Sequence, residues 1–353
     1  SASRSFSITV QNDAPSNHFN TVLYTGNGGT QSITGLNFSP GLVWIKNRTG
    51  YFNLLFDSVR GVNKWLSSNG TYAEGNIASS LTSFDSNGFS LGTDPNGSDS
   101  GWNRNGEAHV AWNFKAGGPA VANTDGTINS QVSANNTLGF SIVEYSGTSI
   151  NGTIGHGLDS APELYITKGT DGANAGSIGW YVYSTTTTAT HYLQLNSTNA
   201  ASDNNLFWND TEPTASVFSV ANNGVTNGTG ENYIAYCFTS KPGFSKVGSY
   251  TGNGSASGPI VQTGFEPAFV MIKASSAAGS WNIVDNKRDT TNPATKRLFA
   301  NLANAEGTGI NVLDFYANGF QIKNNDAGFN SNGGTYIYLA FAADGSTATP
   351  SLA

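Results

Sequence analysis

Pro40-Gly-Leu-Val-Trp-Ile-Lys46, Pro162-Glu-Leu-Tyr-Ile-Thr-Lys168 and Pro267-Ala-Phe-Val-Met-Ile-Lys273 are three versions of one phrase, and they decide how the chain is read. Each is an apolar run that begins with Pro and ends in Lys. Each is preceded by an aromatic residue and a glycine turn: Tyr24-Thr-Gly-Asn-Gly28, Tyr145-Ser-Gly147 and Tyr250-Thr-Gly-Asn-Gly254. Each is followed by a β-rich stretch: His109-Val-Ala-Trp-Asn-Phe114, Tyr233-Ile-Ala-Tyr-Cys-Phe238 and Tyr338-Leu-Ala-Phe-Ala-Ala343. From the repeated Lys to the Ala of the closing stretch is 65 residues (46 to 111), then 67 (168 to 235) and 67 (273 to 340). Letters and spacing repeat together, so three modules of about 100 residues are the unit of organisation.

The closing stretches alternate with period two. Val110, Trp112 and Phe114, with Ile234, Tyr236 and Phe238 and with Leu339 and Phe341, fall on one face and are expected to be core. The Pro-to-Lys runs are apolar on both faces, as in a central strand of a covered sheet. Phe84-Asp-Ser-Asn-Gly-Phe89 and Phe315-Tyr-Ala-Asn-Gly-Phe320 place Asn-Gly between aromatics, which predicts a hairpin. Many short strands with closely spaced turns predict an all-β fold of three tandem antiparallel β-sandwich, jelly-roll-like modules, at 19–117, 138–243 and 244–345. Residues 118–137 read as a linker and 346–353 as a tail. Residues 1–10 alternate like a strand without a nearby partner, so 1–18 is expected to be the last strand of a preceding domain plus a linker. A short helix is conceivable around Val62–Leu66.

Composition limits the function. Charged residues are 11% of the chain, the net charge is -7, and the 16 Lys and Arg form no run, which argues against a nucleic-acid partner. Forty-three glycines suit tight turns, and a single cysteine excludes an intramolecular disulfide framework. No apolar run is long enough for a spanning helix, so no membrane insertion is expected.

Catalytic and metal constellations are weak. Cys237 stands where the sister modules carry Asn113 and Ala342, and His109 where they carry Tyr233 and Tyr338. Neither position therefore reads as catalytic. His156 and His191 have no carboxylate or imidazole at ligand spacing. Asp94-Pro-Asn-Gly-Ser-Asp-Ser100 resembles the first half of a calcium loop, but Asn105 occupies the place of the bidentate Glu. No cofactor is expected. Lys46, Lys168 and Lys273, with Asp57 and Asp285 on the following strand and Ser184 in module two, read as Lys–Asp pairs closing a strand end. Trp65, Trp102 and Trp208 are not shared between modules and lie beside polar loop residues. They are the candidate binding residues, since aromatic faces beside Asn and Asp donors suit glycan recognition.

Gly41-Leu-Val-Trp-Ile-Lys46, Phe56-Asp-Ser-Val-Arg-Gly61, Asn87-Gly-Phe89 and Val110-Ala-Trp-Asn-Phe-Lys-Ala-Gly117 together resemble a repeat of unknown function from tail-fibre and other structural proteins of tailed bacteriophages, many of marine or cyanobacterial hosts. Tyr192-Leu-Gln-Leu-Asn-Ser-Thr198 with Tyr233-Ile-Ala-Tyr-Cys-Phe238 looks like the same repeat, and the likeness covers about 19 to 345. Module two departs from it by lacking the Asp-Ser-Val-Arg-Gly phrase. Arg4–Val10 resembles the final strand of an immunoglobulin-like domain that such fibres carry upstream. The resemblance implies a non-enzymatic virion component for host attachment, a homotrimer, and contacts with other virion proteins and a host surface glycan or protein. The alternative is a carbohydrate-binding module of a secreted or cell-surface bacterial protein. An enzyme, such as a depolymerase, lacks any acid–base constellation to support it.

Overall fold

The computed structural model describes residues 13–95, 97 and 101–344. Its regular secondary structure is almost wholly antiparallel strand. The immunoglobulin-like strand expected at residues 4–10 and the tail at 346–353 lie outside the described residues.

Each module is a two-layer sandwich. In module one the large sheet runs, in order, through an opening strand (Phe19–Thr25), a closing strand (Ala108–Phe114), a central strand (Leu42–Asn47), a second strand (Asn53–Asp57) and a third (Lys64–Ser67). A third strand, rather than a helix, thus occupies 64–67: Trp65 and Leu66 are buried on opposite faces, as a strand allows. Module two repeats the order with Phe140–Ser146, Asn232–Phe238, Leu164–Asp171, Trp180–Ser184 and His191–Gln194. Module three does so with Ser245–Thr251, Thr335–Ala342, Pro267–Ala274, Asn282–Asp285 and Leu298–Phe299. A small sheet of two or three strands covers one face of each, and a separate apolar core fills each gap.

The other faces of the three large sheets meet in a single shared core. Within it Phe114, Phe238 and Phe341 form a triangle, with ring centroids 6.2, 5.1 and 6.1 Å apart, that marks a pseudo-threefold axis. Every core residue expected on the closing strands is buried. The central strands are buried on both faces, because one face meets the module's own core and the other meets the shared one.

Register corrects the alignment of the third copy. Lys46 pairs with Val110, Lys168 with Ile234 and Lys273 with Ile337. Ala111 and Ala235 therefore match Tyr338, not Ala340, and Cys237 matches Asn113 and Ala340. The slip is two residues, so each side chain stays on its assigned face.

The two expected hairpins form, with Phe84 opposite Phe89 and Phe315 opposite Phe320. Their turns are Ser86-Asn87 and Ala317-Asn318; the glycines begin the returning strands. Gly88 and Gly319 are needed because a Cβ there would lie 1.9 Å from Ile33 O and 2.1 Å from Val261 O on the adjacent strand.

Residues 118–137 are more than a linker. They contribute strands Val121–Asn123 and Ser130–Asn135, which extend the large sheet of module two beyond its opening strand. The described chain also begins, crosses between modules and ends at one pole, beside the phenylalanine triangle. Ser16 N–H donates to Asp344 Oδ1 at 2.8 Å, Lys115 N–H to His18 O at 2.8 Å and Ala342 N–H to Phe244 O at 2.9 Å. Phe19 stacks on Phe341 with centroids 4.7 Å apart.

Candidate functional site

The three tryptophans singled out from the sequence are packing residues. Trp102 and Trp208 are fully buried, and Trp65 is 7% exposed. Trp65, on the third strand, and Trp102, just before the closing strand, both belong to the core of module one. Trp208 packs edge-on to Tyr165 at 4.9 Å, and its Nε1 donates to His191 O at 3.1 Å. None offers a face to a ligand, so the binding role expected for them is withdrawn.

The other singled-out residues also serve the fold. Burial holds His109 and His156 below the usual imidazole range. His109 stacks on Tyr24 at 4.8 Å, as Tyr233 does on Tyr145 and Tyr336 on Tyr250. Burial pushes the Cys237 thiol up to about 12, so it stays protonated and inert. Asp94 Oδ2 accepts from the N–H groups of Gly101 and Asn103, which makes it a turn acceptor. Among the described residues no cluster of three His, Cys, Asp or Glu is placed to hold a metal.

A set missed in the sequence is Asn103, Asn227 and Asn330. Each is buried, and each side-chain oxygen accepts from the backbone of an opening turn: Asn27 N–H at 3.0 Å, Thr148 N–H at 2.8 Å and Asn253 N–H at 2.7 Å. Each opening tyrosine, in turn, donates its hydroxyl to the carbonyl just before the Asn. The signal was present as Asn-x-x-Gly-x-x-aromatic, at 103–109, 227–233 and 330–336. Its glycines have φ of 76°, 81° and 74°, the left-handed region that other residues enter only with strain.

No Lys–Asp pair forms at the strand ends. Lys46 Nζ donates to Gly50 O and Tyr51 O, Lys168 Nζ to Gly169 O and Ala175 O, and Lys273 Nζ chiefly to Ala274 O. Burial pulls Lys46 and Lys168 down to about 7 and Lys273 to about 8, against the carbonyls that favour the ammonium form. The aspartates pair instead with arginines three residues on. Asp57 Oδ2 accepts from Arg60 Nε at 2.6 Å, and Asp285 Oδ2 from Arg288 Nε at 2.6 Å.

These ion pairs lie at the junctions between modules. Tyr236 of module two donates its hydroxyl to Asp57 of module one at 2.8 Å, and Trp112 Nε1 of module one donates to Asp285 of module three at 3.0 Å. At the third junction Leu339 and Ser184 occupy the equivalent places, so the side-chain donor and the carboxylate are missing together. The second strands follow the same rotation: Asn53 Nδ2 donates to Ala300 O, Trp180 Nε1 to Ser67 O and Trp281 Nε1 to Gln194 O. So do the carbonyls two residues past each lysine. Arg48 O accepts from Glu306 N–H, Thr170 O from Glu74 N–H and Ser275 O from Ala201 N–H, at 2.7–2.9 Å. Module one thus donates side chains to three, three to two and two to one, a head-to-tail contact that closes after three steps.

One polar groove stands apart from this repeated architecture. It has a volume of about 360 Å³ and is lined by Asn129, Ser130, Gln131, Glu144, Ser146 and Asn232, with Tyr145 behind. Gln131, Glu144 and Ile234 are side by side across three strands, where the inner face of module two leaves the shared core. The added strand Ser130–Asn135 forms one wall, and its register against the opening strand aligns Gln131 with Glu144. Ser146 Oγ donates to Asn232 Oδ1 at 2.6 Å. No described residue donates a hydrogen bond to the Glu144 carboxylate. Half-burial raises its pKa, and Asp57 across the junction raises it further, against Lys64 and Arg60. The corresponding residues are Leu23 and Ser249, so the carboxylate belongs to module two alone. Its sequence signal was the one acidic residue next to a repeated tyrosine, in Val143-Glu-Tyr145.

No curated protein matches the sequence. A family described as a domain of unknown function (DUF7483) matches residues 14–344, all three modules at once, and the chain belongs to that family.

Proposed function

We propose that the chain is a non-enzymatic attachment component of a virion, such as a tail-fibre or receptor-binding part, and that module two carries its receptor groove. The observation behind this reading is the division of labour among the modules. Repeated residues build the cores and junctions, whereas the groove uses an added strand and a carboxylate that neither sister module has. Shared positions hold a scaffold; unshared ones are free to recognise a partner. The polar arrangement suits display as well. The two ends of the described chain lie close together at one pole, and the turns after Tyr24, Tyr145 and Tyr250 lie at the far ends of the opening strands, free for contacts. The phage context itself rests on the repeat phrases quoted above.

The reading includes a homotrimer and contacts with other virion proteins. Because each module already closes against two others, chain-to-chain contacts would have to use outer surfaces. A lectin-like module of a secreted or cell-surface protein is the second reading, favoured by the amide and hydroxyl lining of the groove. Light scattering during size-exclusion chromatography separates the two: a mass of three chains supports the fibre component, and a glycan-binding single chain supports the lectin. Attachment is tested by surface plasmon resonance of the full chain over immobilised bacterial surface polysaccharides. Retention on at least one is expected, and retention on none would overturn both binding readings.

A further inference from the structure

The charges around the groove leave one carboxylate over. Across the junction, Arg60 is bonded to Asp57 at 2.6 Å and to Glu74 at 3.1 Å, and Lys64 is paired with Glu74 at 3.1 Å. Two cations and two anions of module one therefore satisfy each other. These are also the charged groups that act on Glu144, which has no ion-pair partner of its own among the described residues.

The lining also lacks what neutral sugars use. Tyr145 is 2% exposed, and its ring is stacked on Tyr233 at 5.2 Å, so no aromatic face is open for stacking. Hydrogen bonds from neutral hydroxyls to Ser, Asn and Gln mostly replace bonds to water and contribute little net affinity. A charge-assisted bond to a half-buried carboxylate is about twice as strong. Affinity in this groove must therefore come mainly from Glu144, and specificity from the amides and hydroxyls around it.

We infer that the groove binds a hydroxyl-rich ligand bearing an ammonium group, an amino-sugar unit of a surface polysaccharide, with Glu144 as its counter-charge and Gln131, Ser146 and Asn232 reading its hydroxyls. This deepens the attachment reading and rests on it for the source of the ligand. Protonation of Glu144 would remove the counter-charge, so binding should weaken as the pH falls into the carboxylate range.

The test is an NMR titration of the full chain at neutral pH with 6-amino-6-deoxyglucose and, separately, with glucose. Shifts confined to residues around 129–146 and 232 are expected with the amino sugar, with affinity about tenfold or more above that for glucose. Glu144→Gln should lower the amino-sugar affinity about tenfold or more with no change in unfolding temperature. Equal affinity for the two sugars, insensitivity to Glu144→Gln, or no binding of the amino sugar would each overturn the proposal. Labelled chain applied to a panel of bacterial cells keeps the two readings apart. Cell binding that survives Glu144→Gln removes the groove and leaves attachment standing. If the wild-type chain binds no cell, attachment falls, and the sugar titration still judges the groove.

Discussion

A buried ammonium held by carbonyl oxygens occurs three times in this molecule, and it makes stability depend on pH in a definite direction. In the unfolded chain each of the three lysines keeps its proton to about 10.5; in the folded one Lys46 and Lys168 release it near 7 and Lys273 near 8. Between those limits the unfolded state binds more protons, so raising the pH favours folding. Above about 10 the sign reverses. Unfolded tyrosines ionise there, while burial keeps Tyr145, Tyr165 and Tyr236 protonated. Urea midpoints measured from about pH 6 to about pH 11 should therefore rise and then fall, and Lys168→Met should flatten the rising limb. An unchanged slope in that variant would refute the account. The position of these lysines was legible in the sequence, but their partners were not. Asp57 and Asp285 look like strand-end mates, yet each begins a turn that returns an arginine to it three residues later.

At the scale of strands, the closing strand of module three shows what periodicity can and cannot specify. Alternation fixed which side chains face the core, because a slip of two leaves parity unchanged. It could not fix register, and Tyr338-Leu-Ala resembled Tyr233-Ile-Ala closely enough to mislead. The buried Asn at 103, 227 and 330 settles it, lying six residues before His109, Tyr233 and Tyr336 in every copy. The same scale carries the junctions. Asp57→Ala should cost about 3–5 kcal/mol, because Arg60 is left buried without its nearest counter-charge. Tyr236→Phe should cost about 1.5–3 kcal/mol, the loss of one hydrogen bond to a charged acceptor. The double variant should lose less than the sum, since both act on one carboxylate. Ser184→Ala, at the junction without an ion pair, should stay below about 1 kcal/mol. Chemical denaturation of the four variants checks the set, and strict additivity would mean that the tyrosine and the aspartate are not coupled.

On the scale of the whole molecule, three modules could be read from the sequence but their union could not. A strand apolar on both faces is equally consistent with a small sheet on one side and solvent-covering loops on the other. Only the structure shows that the second face is turned toward two sister sheets. The added strands at 121–123 and 130–135 were illegible for another reason: the segment is polar and poor in aromatics, and it pairs by backbone at a sheet edge. The shared core predicts one cooperative unfolding event instead of three. Differential scanning calorimetry should give a single transition whose calorimetric and van't Hoff enthalpies agree. Three resolved peaks would mean that the sandwiches are held together only loosely.

A head-to-tail ring of contacts has no privileged first member, and the two ends of the described chain already touch through Ser16 and Asp344. The order of the modules along the chain is then a matter of ancestry more than of physics. A circular permutant that joins 344 to 13 through a short glycine–serine bridge, and opens the chain at the exposed Gly118, would run two, three, one. It should assemble the same phenylalanine triangle and the same groove, with only the chain ends moved.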